Sequence, residues 1–409
     1  MNVSPSFSPP IKLMKPYFLL AGFFYLLSIA SLLFISPFLD LKDFSLIGWV
    51  HLYMLGFVMM GIFAAMAQLS PIIIQTQHYS VKIFSYLWIV LTLGIILMML
   101  GFFINVSFLL WGGGIVLVAM LIYATEFLLT LKSASRSTSI TKAMKMSNFF
   151  LLLGISTGLV MAAAFNGYID INPNHILHIH TFGLVLGFVI LLIMGISIIL
   201  IPMFGSSARI SEKEFTSSFY TIAFGVVIMM LSPFFYTELL KNIAYSFTIA
   251  AILLYIYQLY KMTSSRKRVT HDVWARYMYV AFSSFMAAFF ILTLYLFNDN
   301  ELYLRVGMWL LLIGFFGCVI IGNFYKIIPF LVWFHIYSPL IETQSVPMLH
   351  QLLPKRSSEL QWFYSFLGVL ITTLGLALED RSLFMGGVIL LLVSALMFLY
   401  IINKVLSAK

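Results

Sequence analysis

Twelve apolar runs, each closed off by polar or charged turns, occupy most of this 409-residue chain. They lie at roughly 17–38, 45–74, 83–104, 107–131, 146–168, 174–204, 215–236, 240–261, 274–297, 303–334, 361–378 and 382–404. A helix needs roughly 20 apolar residues to cross the hydrocarbon core of a bilayer, and the runs reach about that length or exceed it. The expected fold class is all-α: a polytopic membrane protein with twelve transmembrane helices. Composition points the same way. The chain is 62% hydrophobic and 9% charged, against about half and about a quarter in soluble domains. Polar surface is too scarce to cover one large core or two, which excludes a water-soluble globular enzyme. No room is left for a separate soluble domain, so residues 1–409 read as a single membrane domain. The first run is too long for a signal-peptide core and lacks a clear small-residue cleavage site, so it reads as the first span.

The turns set an orientation. With the N-terminus in the cytoplasm, 19 of the 23 Lys and Arg fall on the inner side, and only Lys42, Lys241, Arg305 and Arg381 fall outside. This is the positive-inside bias, and miscounting by one span would scramble it. Asp40, Asp43, Asp170, Asp299, Glu301, Glu379 and Asp380 all fall outside. The expected location is therefore the inner (cytoplasmic) membrane, with both termini cytoplasmic. In a soluble chain a net charge of +9 would suggest nucleic acid. Here it is read as topology, with membrane lipid as the partner and no nucleic acid; a basic inner face also favours anionic lipid. Cys318, the single cysteine, lies in an apolar run. One chain therefore offers no structural disulfide, cysteine-based zinc site or cysteine-ligated iron–sulfur cluster.

Twelve spans divide into three groups of four, with quasi-repeats at about 1–135, 136–265 and 266–409. The second span of each group is long, glycine-studded and ends near a proline. The three read WVHLYMLGFVMMGIFAAMAQLSPIII, HILHIHTFGLVLGFVILLIMGISIILIPMF and VGMWLLLIGFFGCVIIGNFYKIIPFLVWF, with Pro71, Pro202 and Pro329 near their ends. Glycines let helices, or a flat ligand, approach closely. Four-span periodicity gives the second, sixth and tenth spans equivalent central places and the same direction.

Eight histidines are present. His78, His271, His335 and His350 fall in inner loops or at inner span ends and read as surface residues. His51, His175, His178 and His180 differ. His51 lies about six residues into the second span. Asn172-Pro173 reads as a helix cap followed by a first-turn proline, which puts His178 and His180 about five to seven residues into the sixth. At 1.5 Å per residue both groups sit roughly 8–10 Å from the outer helix ends. Ionisable residues at that depth mark function by default. His175 and His178 share a helix face, whereas His178 and His180 are about 200° apart and address opposite sides. One of them can meet His51 across an iron. A neutral imidazole ligates iron or copper well, and imidazoles facing one another across a flat, glycine-lined apolar slot suit a b-type haem. The competing reading is a hydrogen-bonded polar cluster or an outer water pocket without a cofactor.

On these features the chain resembles the superfamily of haem–copper oxidase subunit I and its shorter relatives, including the NnrS-type haem membrane proteins linked to nitric-oxide stress. The likeness lies in twelve spans, three four-helix arcs, cytoplasmic termini and an outer-side histidine early in the second span, and it covers nearly the whole chain. It implies a haem b whose axial ligand is His51. The pair His178-Ile179-His180 resembles a His-x-His pair that serves two haems in the oxidases, but there that pair lies in the tenth helix. The tenth span here has no outer histidine; counting back 20 residues from Pro329, the distance from His51 to Pro71, gives Trp309, and the neighbouring Met308 reads as packing. No His-His pair occurs, the seventh span has no histidine, and the relatives' His-Ala-His-Glu string is replaced by Val50-His51-Leu52-Tyr53. The oxidase-type copper centre, and with it oxygen reduction to water, is therefore not implied, and copper stands behind haem b as a cofactor. What is implied is a haem-binding protein with a respiratory or nitric-oxide-related role, respiratory complex subunits as partners, and NO or O2 as a gas ligand where an axial position is open. The site set is His51, His178 and His180, with His175 as a further metal ligand. The alternatives are a cofactor-free transporter passing copper or protons, and an assembly partner of a respiratory complex.

Other polar residues within the runs have plainer readings. Gln68 and Asn323 are expected to bond backbone carbonyls freed by the prolines. Asn166 is expected to cap, Glu126 to pair with Lys132, and Lys326 to snorkel to the inner surface.

Overall fold

The structure is a computed structural model, and it describes residues 9–134, 137–235, 238–266 and 272–407. Arg136, Lys267, Arg268, His271 and Lys409, all assigned above to the inner side, lie outside the described residues. Among those described there is no strand. Among the described residues, eleven helices are long and apolar enough to cross a membrane, and a further apolar helix, Leu87–Phe103, has 17 residues. The protein is an all-α, multi-pass membrane protein.

The helices, in chain order, are α1 (Ile11–Ser31), α2 (Phe44–Ile74), α3 (Leu87–Phe103), α4 (Ser107–Lys132), α5 (Ser139–Phe165), α6 (Pro173–Gly205), α7 (Glu212–Phe235), α8 (Glu238–Ser264), α9 (Val273–Asn298), α10 (Glu301–Leu340), α11 (Lys355–Ala377) and α12 (Arg381–Leu406). Most starts match the apolar runs because short polar side chains cap them. Asp43 accepts from the Ser45 amide at α2, Asn172 from Asn174 at α6, Asp272 from Ala275 at α9, Asn300 from Leu302 at α10 and Asp380 from Leu383 at α12. Hydrogen bonds from the Ser45 hydroxyl and amide hold the Asp43 carboxyl below its usual range, so this cap keeps its charge. α1 is displaced from its run. It starts at Ile11, carries Lys12, Lys15 and Pro16 inside it, and stops at Ser31 ahead of Ser36-Pro37. Apolarity marks what lipid can cover, and a helix continues past that limit as long as water can reach its polar turns.

Three helices are interrupted in the same way. Eight-residue π-helical segments occupy Leu52–Met59 of α2, Gly183–Ile190 of α6 and Leu310–Gly317 of α10. Each is followed by a 15-residue α-helical stretch containing the proline noted above. Leu52 to Pro71, Gly183 to Pro202 and Leu310 to Pro329 are the same 19 residues apart. The fifth residue of each of these three segments is glycine, and each glycine lies against the helix that precedes it. A Cβ on Gly56 would come within 2.6 Å of Phe24, one on Gly187 within 2.7 Å of Phe150, and one on Gly314 within 2.6 Å of Ser284. Long π segments are rare and concentrate at functional sites. Gly187→Val is expected to destabilise the protein by about 1–3 kcal/mol through overpacking against Phe150, measured as a lowered unfolding midpoint in detergent.

The chain divides into two compact units, residues 1–70 with 271–409, and residues 71–270. In the first, α1 packs on the π segment of α2 and along α12, α9 packs along α10, and α11 and α12 form an antiparallel hairpin. Trp49 and Trp309 stack at 5.8 Å, and the Tyr53 hydroxyl donates to the Leu312 carbonyl at 2.8 Å, so the π segments of α2 and α10 are tied directly. A buried polar junction joins α9 to α12. Tyr277 and Tyr325 donate to the Gln361 carbonyl oxygen at 2.5 and 3.0 Å, and the Gln361 amide donates to Ser394 at 2.8 Å. With its groups paired, such a network fixes one arrangement of the four helices. In the second unit, α3 and α4 form a hairpin, α5 packs on α4 and along α6, and the α7–α8 hairpin packs against α6.

Candidate functional site

The histidines singled out from sequence lie just ahead of the π segments. His51 is the last residue before the first one. It is partly buried, and its Nδ1 lies 2.8 Å from the Ile47 carbonyl one turn back. A carbonyl only accepts, so Nδ1 carries a proton and Nε2 is the ring nitrogen that would ligate a metal. Metal-bound histidines adopt this arrangement, in which a backbone oxygen fixes both tautomer and ring orientation. Trp49 and Tyr53 lie on the side of α2 facing α1 and α10. The Trp49 indole donates to the Ser28 carbonyl of α1 at 2.9 Å, and Tyr53 bonds α10 as described. Two residues along an α-helix turn about 200°, so His51 projects from the other side.

The cap reading at α6 holds: Pro173 is the first helical residue and Asn172 caps it. His175 is exposed, and His178 and His180 are partly buried. The two rings point to different neighbours, as their spacing requires. His180 turns to α5, where its Nδ1 lies 2.8 Å from the Gly154 carbonyl. Its ring rests on Gly158, where a Cβ would come within 2.7 Å of the imidazole. Gly154 and Gly158 thus form the bed that seats this side chain. His178 instead lies beside Phe182, with ring centres 6.5 Å apart, and Phe182 continues to Tyr245 of α8 at 5.9 Å.

The π segments give the three helices a common register. Relative to each π start, Phe182 and Trp309 stand where His51 stands. His180 stands where Trp49 stands, and the two do the same thing: each donates a ring N–H to a carbonyl of the preceding helix. Phe24 and Phe150, one turn before those carbonyls at Ser28 and Gly154, pack on Gly56 and Gly187 in turn. His180 is therefore part of the α5–α6 wall. His178 matches Ile47, one turn before the His51 position and on the same helix face. Among the described residues, no three His, Cys, Asp or Glu are grouped to hold a metal ion.

A different buried pair escaped the sequence reading. His78, expected at the surface, is buried, and its Nδ1 lies 2.9 Å from Glu126 Oε1 of α4, with side chains 1% and 3% exposed. Thr130 donates to the same carboxylate oxygen at 2.7 Å and accepts from the Tyr79 amide. The partner of Glu126 is thus His78 rather than Lys132. Spacing held the signal. Lys132 is six residues from Glu126, about 240° around the helix, whereas Thr130 at four residues shares its face. Asn166 caps α5 as expected and bonds the Ala162 and Val106 carbonyls. Asn323 bonds the Val319 carbonyl four residues back rather than one freed by Pro329, and Lys326 pairs with Asp272 at 2.6 Å. His350 is exposed, and His335 is partly buried in a short π turn, Trp333–Tyr337.

No model of a known protein family matches the chain, and no curated protein is significantly similar to it in sequence.

Proposed function

We propose that this is a twelve-span protein of the inner membrane with both termini cytoplasmic. We propose further that its three four-helix arcs follow the plan of haem–copper oxidase subunit I, and that it binds a haem b for which His51, and His178 or His180, are the candidate ligands. The observation that carries this reading is the His51 ring, partly buried beside a glycine-bearing π segment and held by the Ile47 carbonyl in the tautomer an iron ligand needs. The donor chemistry fits, because two neutral imidazoles suit a haem iron. The π-segment count favours His178 over His180 as the second ligand. It lies on the same face of its helix as the His51 position, while the His180 ring is packed onto α5 at Gly158. The π segments beside the histidines are apolar, as the surroundings of a haem must be.

Bound haem supplies a one-electron iron couple and, where an axial position opens, a place for a small gas such as NO. The chain's own part is to hold the ring in a dry setting and to keep the imidazoles neutral and oriented. This gives a respiratory or nitric-oxide-related role in binding, sensing or electron transfer. The test compares visible spectra of protein purified from haem-replete cells. Wild type is expected to show a Soret band with iron and no copper. His178→Gln is expected to lose most of that haem, and His180→Gln to retain it within about twofold, as befits a residue that is not an iron ligand. Colourless wild-type protein contradicts haem binding, and loss in His180→Gln alone moves the ligand to His180.

A further inference from the structure

Helices α1 and α12 pack closely through Gly22, where a Cβ would come within 2.7 Å of Ile402. Beside this contact an open groove of about 520 Å³ runs along the pair, within the roughly 300–1,000 Å³ of small-molecule sites. Its walls are Leu19 and Phe23 of α1 and Leu396, Leu399 and Tyr400 of α12, with Asn403 at one end. Phe23 is 47% exposed, Leu396 52% and Tyr400 60%, so the walls face outward. In a membrane-spanning chain, that means toward lipid.

The two ends of the groove differ in chemistry. At the Asn403 end the Lys15 ammonium donates to the Ser407 hydroxyl at 3.4 Å, bridging the start of α1 and the end of α12. The Lys404 ammonium sits over the Tyr400 ring at 6.0 Å. Two cations and two neutral polar groups thus gather at one end, while the walls beyond them are apolar. From Lys15 to Phe23, and from Lys404 to Leu396, the apolar walls rise eight residues, about 12 Å. That is most of one leaflet's share of a roughly 30 Å hydrocarbon core.

We infer that the α1–α12 groove is a binding site for an anionic phospholipid. One acyl chain lies along Leu19, Phe23, Leu396 and Leu399, and the phosphate is held by Lys15 and Lys404 with Asn403 and Ser407 beside it. A general basic surface attracts anionic lipid without choosing a place; here charge and apolar length coincide at one groove. The site needs no cofactor and stands apart from the haem proposal.

The test is native mass spectrometry of the delipidated full chain in detergent, supplied with phosphatidylglycerol or phosphatidylcholine. Wild type is expected to retain one phosphatidylglycerol at least about fivefold better than phosphatidylcholine. Lys15→Ala with Lys404→Ala should remove that preference, with far-ultraviolet dichroism confirming the fold. Leu396→Trp, which fills the groove, should reduce retention of both lipids, and excess inorganic phosphate should not displace the bound lipid. Equal retention of the two lipids, an unchanged preference in the double variant, unchanged retention in Leu396→Trp, or displacement by phosphate overturns the assignment.

Discussion

His51→Ala is expected to give a protein that inserts and folds but is nearly without haem. The side chain is partly buried at the junction of an α-helical and a π-helical stretch, and its Nδ1 hydrogen bond goes to its own helix. Losing that within-helix bond should affect the fold little. The effect on haem should be large. Losing an outer-sphere partner of a metal ligand costs about 10–100-fold in affinity, and losing the ligand itself should cost at least about 100-fold on the same scale. Haem per protein, measured by absorption after equal haem supply, should fall accordingly. Free imidazole should restore part of the Soret band by entering the space left behind. A variant that keeps full haem would remove His51 from the site.

The second large effect lies in the residue 71–270 unit and does not depend on any cofactor. His78→Ala is expected to destabilise the protein by about 3–5 kcal/mol, because it leaves the Glu126 carboxylate buried without its partner. His78→Leu combined with Glu126→Leu should recover most of that loss, since replacing a buried pair with apolar groups of similar size is often close to neutral. Detergent-unfolding curves of the two single variants and the double variant give the coupling directly. Additive losses would mean that the 2.9 Å contact carries no energy. Haem content should be unchanged throughout, which separates this pair from the His51 site.

The broad architecture was legible in the sequence because lipid imposes it. Long apolar runs, capping residues such as Asn172 and Asp380, and the prolines at 71, 202 and 329 each have a direct physical meaning. The register of the histidines was less so. Apolarity does not distinguish an α turn from a π turn, and a π turn takes more residues than 3.6. Counting helical positions across Leu52–Met59 or Gly183–Ile190 therefore assigns faces wrongly. The π boundaries put His180 where Trp49 stands and Phe182 where His51 stands, and the 20-residue spacing to Pro71 and Pro202 already carried that register. His78 was missed for a different reason. It sits in the polar string Gln75–Ser80, which resembles an exposed turn, and its burial depends on Glu126, 48 residues away. The charged residue inside an apolar run was the clue, since such a group requires a partner on its own face.

The proposed histidine ligation of a haem is tested most directly by near-infrared magnetic circular dichroism of the oxidised, haem-loaded protein. The account predicts the low-spin ferric signature of bis-histidine ligation, lost in both His51→Ala and His178→Gln. A high-spin signature, or a bis-histidine signature that survives either substitution, would contradict it.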